Sequence, residues 1–167
     1  MIEIKRASEK DIPAIEDILA DVVAWLDGVG EPLWKAAQVT WEGLSRDYDG
    51  FVAQDFHIAY LDGKPAGCMA LVDSVGFWRE IPKGESLFIC KLAVKRFAAG
   101  KGVADALIAY AKEMCADMGI STLRLGCSQE RHKLRAVYER NGFVCVKETT
   151  IHHAGTDYST AYYECDI

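Results

Sequence analysis

The most constraining stretch of this sequence runs from residue 86 to residue 118. It opens with Ser86-Leu87-Phe88-Ile89-Cys90-Lys91-Leu92-Ala93-Val94, a nearly continuous apolar run. A strand that reads this way is buried on both faces of its sheet. A short connection leads to Gly100-Lys101-Gly102. A helix pattern follows at once, with Val103, Leu107, Tyr110, Ala111, Met114 and Met118 on one face and Gly119 as its stop. A helix entered this way presents backbone N–H groups without intrahelical acceptors, and the positive end of its dipole. Glycine lets an anion approach that backbone closely. The turn is therefore expected to bind an anion, a pyrophosphate above all. Two other phosphate motifs fit worse. A Walker loop needs Ser or Thr after its lysine, and here Gly102 follows Lys101. The dinucleotide pattern needs a third glycine where Asp105 stands.

The rest of the chain supplies a frame for that segment. Residues 2–7 alternate as a strand. Ile12, Ile15, Ile18, Leu19, Val22, Val23 and Leu26 then keep helical spacing. Asp11 as N-cap with Pro13 just inside explains the start of this helix better than a capping box of Ser8 with Asp11. A second amphipathic stretch is expected over 34–48, carrying Trp34, Trp41 and Leu44. Residues 56–61 and 65–73 flank Asp62-Gly63-Lys64 as a hairpin. After the helix that ends at Gly119 come a strand over 122–127, a short helix over 131–140 closed by Asn141-Gly142, and strands over 143–151 and 157–165. The order β-α-α-β-β-β-α-β-α-β-β is that of an α/β chain with a mixed sheet and helices on its faces. No repeat or linker interrupts it, so residues 1–167 read as one domain.

Charge and cysteine usage narrow the function classes. A net charge of −6 disfavours binding to phosphate backbones, so no nucleic-acid partner is expected. The six cysteines form no C-x-x-C pair and lie mostly in apolar runs. They read as free buried thiols of a cytoplasmic protein, with no metal site. No apolar run nears the roughly 20 residues needed to span a bilayer, so no membrane partner is expected.

The segment Gly100-Lys101-Gly102-Val103-Ala104, preceded by Leu92-Ala93-Val94, resembles the acetyl-CoA motif of GNAT N-acetyltransferases, R/Q-x-x-G-x-G/A. Its first glycine falls on Gly102 and its last small residue on Ala104. Its opening Arg or Gln falls on Ala99, a departure for which Lys101 offers compensating charge. The late stretch Tyr138-Glu139-Arg140-Asn141-Gly142-Phe143 resembles the family's second signature, a short helix ending Y-E-x-x-G-F. The asparagine that often opens this helix falls on Arg131, a second departure. The resemblance covers nearly the whole chain. It implies acetyl-CoA as donor and a small-molecule amine or peptide as acceptor. It also implies two splayed parallel strands, 86–94 and 122–127, with the pantetheine arm pairing to the first. Tyr138 becomes the general acid at the thioester sulfur, and a backbone N–H near Leu92 or Ala93 meets the oxyanion. Dimers are common in the family, and the final hairpin is a candidate contact for a homodimer.

Two roles have only candidates at this level. Glu85, near the start of the first central strand, is the candidate general base, with Asp73 and Glu80 behind it. The family's acceptor pocket is usually shaped by the first two helices. Here that region carries Trp25, Trp34 and Trp41, with six carboxylates against two cations between residues 27 and 55. Rings and carboxylates together suit a cationic amine. Trp25, Trp34, Asp73 and Trp78 are the candidate acceptor contacts, with Phe77-Trp78 as a cover. His152 and His153, adjacent in a polar stretch, read as solvent-exposed. Two other classes stay open: an acyl-CoA-binding module without catalysis, and a nucleotide-binding protein unrelated to CoA.

Overall fold

The computed structural model describes residues 1–153 and 155–167, with His153 as backbone only. Seven strands form one mixed sheet. They are β1 Ile2–Arg6, β2 Phe56–Leu61, β3 Lys64–Val72, β4 Leu87–Val94, β5 Thr122–Ser128, β6 Val144–His153 and β7 Thr156–Asp166, in the order β1-β2-β3-β4-β5-β7-β6. Three α-helices accompany them: α1 Ile12–Gly28, α2 Val103–Asp117 and α3 His132–Arg140. The chain divides into two units, residues 1–71 with 91–107, and residues 72–90 with 108–167.

In the first unit, β1 and β2 pair antiparallel from Ile2↔Leu61 to Arg6↔His57. The β2–β3 hairpin turns on Asp62 and Gly63, both at positive φ (49° and 83°). That is the backbone a two-residue hairpin of type I′ requires. Helix α1 begins with Asp11 as N-cap and proline in its first turn, as the sequence indicates, and it buries Ile15, Ile18, Leu19 and Val23. Ser8 and Asp11 are engaged as well. The Ser8 N–H donates to the Asp11 carboxylate at 2.9 Å and opens a 3-10 turn over Glu9–Asp11. The two readings of this N-terminus are therefore consecutive turns.

The second helical stretch is not one amphipathic helix over 34–48. It is a 3-10 turn at Ala36–Gln38 and a π turn at Gly43–Asp47. Gly43 explains the tight packing, because a Cβ there would fall 2.1 Å from the Ala37 carbonyl oxygen. Thr40 restarts the chain, its hydroxyl accepting the Gly43 N–H at 3.1 Å. Leu44 is buried, and the Trp41 ring meets Phe56 edge-on, so the apolar positions of the stretch still point inward.

In the second unit, β4 and β5 run parallel, with Leu87↔Leu123 and Phe88↔Arg124 as described partners. β5 and β7 pair antiparallel from Thr122↔Asp166 to Ser128↔Thr160. β6 pairs only with β7 in the strand order and lies at the sheet edge. His152 sits on β6, not in a loop. Its Nδ1 meets the Asp157 carboxylate across the hairpin, so a carboxylate partner exists that the sequence did not disclose. The side chain of His153 and the whole of Ala154 lie outside the described residues. Among the described residues no helix is long and apolar enough to cross a membrane.

Candidate active site

The glycine turn lies in the first unit. The end of β4 is fastened to β3: the Lys95 N–H donates to the Ala66 carbonyl at 2.7 Å. A 3-10 turn over Arg96–Ala98 follows, and the Lys101 N–H returns to the Ala98 carbonyl. Gly100 and Gly102 then take φ of 75° and 81°. A Cβ at either would meet nothing within 4 Å. These glycines are therefore required by backbone conformation, not by close packing. The space beside them is what a pyrophosphate needs to reach the first N–H groups of α2. Val103 is buried and anchors that helix start, while Ala99, Gly100, Lys101 and Gly102 are exposed and Ala104 half-exposed. Leu92 and Val94 are half-buried and Ala93 is buried.

β4 is continuous from Leu87 to Val94 but has one residue out of extended geometry. Lys91 has φ of 52°, uncommon for a residue with a side chain. Its ammonium lies 3.4 Å from the Asp49 carboxylate and 5.2 Å from the centre of the Trp34 ring. Nearby cations in the same unit have similar partners. Arg96 stacks 4.4 Å from the Trp25 ring and its N–H donates to Asp21, and Lys95 pairs with Asp17. The rings of Trp25 and Trp34 thus face cations of this chain.

Tyr138 lies in the second unit, on α3, and only 4 % of it is exposed. Its ring packs edge-on against Phe143 and tilted against Tyr163, at 5.8 and 6.1 Å between centres. Burial, with the nearby Cys127 and Cys90 thiols, pushes its phenol well above the ordinary tyrosine range. The hydroxyl therefore keeps its proton at any physiological pH. Arg135 fixes the helix one turn earlier. It donates to the Tyr163 hydroxyl at 2.7 Å, to the Gln129 carbonyl at 3.0 Å and to Glu148 at 2.8 Å. The Tyr163 hydroxyl in turn donates to Glu139 at 2.7 Å. Arg131 is the N-cap of α3, without a capping side-chain bond.

The remaining sequence candidates of the second unit have varied surroundings. Glu85 lies on an exposed turn ahead of β4, its N–H held by the Pro82 carbonyl. Asp73 pairs with Lys83 at 2.6 Å, and Glu80 with Lys147 at 3.0 Å. Trp78 is buried against Phe88 and Tyr162. Phe77 is 44 % exposed and lies over β5, where a Cβ on Gly126 would come within 2.8 Å of its ring.

A model of the acetyltransferase (GNAT) family matches residues 19–143, which include both the glycine turn and Tyr138. The chain belongs to the GNAT acetyltransferase family. It is an acetyltransferase, and acetyl-CoA is the acetyl donor of that family. No curated protein matches the sequence. Solved structures share the fold. The ribosomal-protein-S18-alanine N-acetyltransferase of Escherichia coli is 16% identical with a TM-score of 0.71, over 100% of this chain and 94% of that one. A PaiA N-acetyltransferase from Thermoplasma acidophilum, in complex with coenzyme A, is 16% identical with a TM-score of 0.71, over 100% and 99%. A GNAT acetyltransferase from Listeria monocytogenes is 18% identical with a TM-score of 0.71, over 99% and 95%.

Three features of this acetyltransferase escaped sequence reading. Arg135 looks like any surface arginine of a polar helix, and only the fold brings Tyr163, Gln129 and Glu148 around it. Asp49 was one carboxylate of an acidic stretch until β4 placed Lys91 beside it. Gly126 carried a usable signal, a glycine inside an otherwise alternating strand, which marks a close approach.

Proposed function

We propose that residues 1–167 work as one N-acetyltransferase that moves the acetyl group of acetyl-CoA to a primary amine of a small molecule or peptide by direct attack. The observation that carries this reading is the open glycine turn at Gly100 and Gly102, entering α2 within the family match. Backbone N–H groups at the start of α2 hold the pyrophosphate, with Lys101 adding charge.

The amine nitrogen attacks the thioester carbonyl, and the carbonyl electrons move onto oxygen. A backbone N–H at Leu92 or Ala93 stabilises that oxyanion. The C–S bond then breaks, sulfur takes the electron pair, and the Tyr138 hydroxyl gives sulfur its proton. The carbonyl reforms from the oxyanion as sulfur leaves, and the attacking nitrogen, cationic since the attack, gives its second proton through solvent to the phenolate, leaving a neutral amide and a neutral phenol. The ammonium loses its proton beforehand, to Glu85 or to water. The support for Tyr138 as the donor is its place in the Y-E-x-x-G-F signature within the family match.

The test is Tyr138→Phe. Thiol release from acetyl-CoA with a reactive amine is expected to fall about 10²–10⁴-fold in kcat. The rise in melting temperature produced by CoA is expected to persist, because the turn is untouched. Undiminished kcat would remove Tyr138 from the chemistry. No thermal shift with CoA, in the parent protein, would overturn the donor site.

A further inference from the structure

We infer that Lys91 recognises an anionic group on the acceptor, so that the favoured acceptors are amines that also carry a carboxylate. The inference rests on the acetyltransfer reading above. It reverses the polarity that the acidic stretch between residues 27 and 55 suggests on its own.

Asp49 and the rings of Trp25 and Trp34 are already engaged by cations of the first unit. Asp49 faces Lys91, Trp34 lies under the same ammonium, and Trp25 carries Arg96. Asp17 and Asp21 hold Lys95 and the Arg96 N–H. A cationic amine would meet another cation already beside either ring. Lys91 has capacity left. An ammonium has three protons to donate, and Asp49 at 3.4 Å is a loose partner for one of them. Among the described residues no hydrogen bond is formed by the other protons. Its side chain is only 13% exposed, so a ligand anion there would meet it with little screening.

The backbone supports the same role. Lys91 immediately precedes Leu92, whose N–H is assigned to the oxyanion. It holds a left-handed conformation inside a strand, and such strain persists where surrounding structure imposes it and clusters at functional sites. The bend aims the lysine stem at Trp34 and Asp49. An acceptor whose carboxylate meets this ammonium would have its amine set a few bonds away, beside the residue assigned to the reacting carbonyl.

The experiment measures kcat/KM by thiol release for matched acceptors: phenylalanine against phenethylamine, tryptophan against tryptamine, arginine against agmatine. The parent protein is expected to favour the carboxylate-bearing member of at least one pair about tenfold or more, the scale of a charged hydrogen bond. In Lys91→Met with Asp49→Asn both charges disappear, so the local net charge is unchanged and the preference is expected to vanish. Asp49→Asn alone frees the ammonium and is expected to sharpen the preference. Lys91→Arg is expected to retain it. A preference that survives the double substitution overturns the inference, as does a parent protein that favours the decarboxylated amines. A protein that shifts its melting temperature with CoA yet acetylates no carboxylate-bearing member also overturns it, and leaves the donor site standing. Absence of that shift strikes the acetyltransfer reading instead.

Discussion

Gly67 has no room for a side chain, because the carbonyl oxygen of Ala93 stands 2.8 Å from where its Cβ would be. Val103 Cγ1 is equally close to that position. β3, the end of β4 and the start of α2 thus meet at one glycine within the first unit. Gly67→Ala is expected to destabilise the protein by about 1–3 kcal/mol, the scale of overpacking in a rigid core. Gly126→Ala is the control. Its Cβ would press on the far end of the half-exposed Phe77 ring, which swings aside at less cost. Urea unfolding of both variants measures the difference; equal losses would mean the Gly67 crossing is softer than its geometry.

Gly102→Ala separates binding from folding. At φ of 81° a side chain costs on the order of 1 kcal/mol of strain. Nothing stands near the new Cβ, so the fold is expected to survive. The methyl group would lie where a pyrophosphate approaches the backbone. CoA affinity is expected to drop about tenfold or more, measured by calorimetry. Unchanged affinity in a folded variant would place the pyrophosphate elsewhere.

Arg135→Met tests the support of α3. The change leaves the Tyr163 hydroxyl, the Gln129 carbonyl and Glu148 without their shared donor. The cost is expected to be about 2–4 kcal/mol, because several groups lose a charged hydrogen bond together. Lys cannot reproduce the forked geometry, so Arg135→Lys is expected to recover less than half of it. Chemical denaturation reads both. Full recovery by lysine would mean charge alone holds the helix.

Acid sensitivity is expected at His57. Burial, helped by the Arg6 charge, lowers its pKa from 6.5 to about 4. The folded protein therefore keeps this imidazole neutral while the unfolded chain protonates below pH 6.5. The unfolded state then binds more protons, so stability falls as pH drops from about 6.5 toward 4. The loss is expected to be on the order of 2–3 kcal/mol over that window. His57→Gln should flatten this dependence in urea midpoints taken from pH 7 to pH 4.5. An equally steep decline in the variant would assign the acid loss to other groups.

Local chemistry made much of this protein readable in sequence. Asp62-Gly63 determines the hairpin, because few residues accept two consecutive positive φ angles. Pro13 marks where α1 begins, because proline fits the first turn, where its missing N–H would have no intrahelical partner. Gly100 and Gly102 determine the turn into α2 for the same local reasons. The Tyr138 signature is legible as a motif, but its environment is not. Its raised pKa comes first from burial and then from Cys127 and Cys90, and those thiols lie on other elements.

The tertiary structure alone decided the rest. It replaced the second helix by a 3-10 turn and a π turn, where Gly43, lacking a Cβ, lets the chain pass against the Ala37 carbonyl. It gave Lys91 a backbone conformation that no residue pattern announces, and joined it to Asp49, 42 positions earlier in the chain. Sequence spacing speaks for residues a few positions apart, because the backbone links them directly. Which distant charge meets which is settled only when the strands take their order and the chain between them is packed.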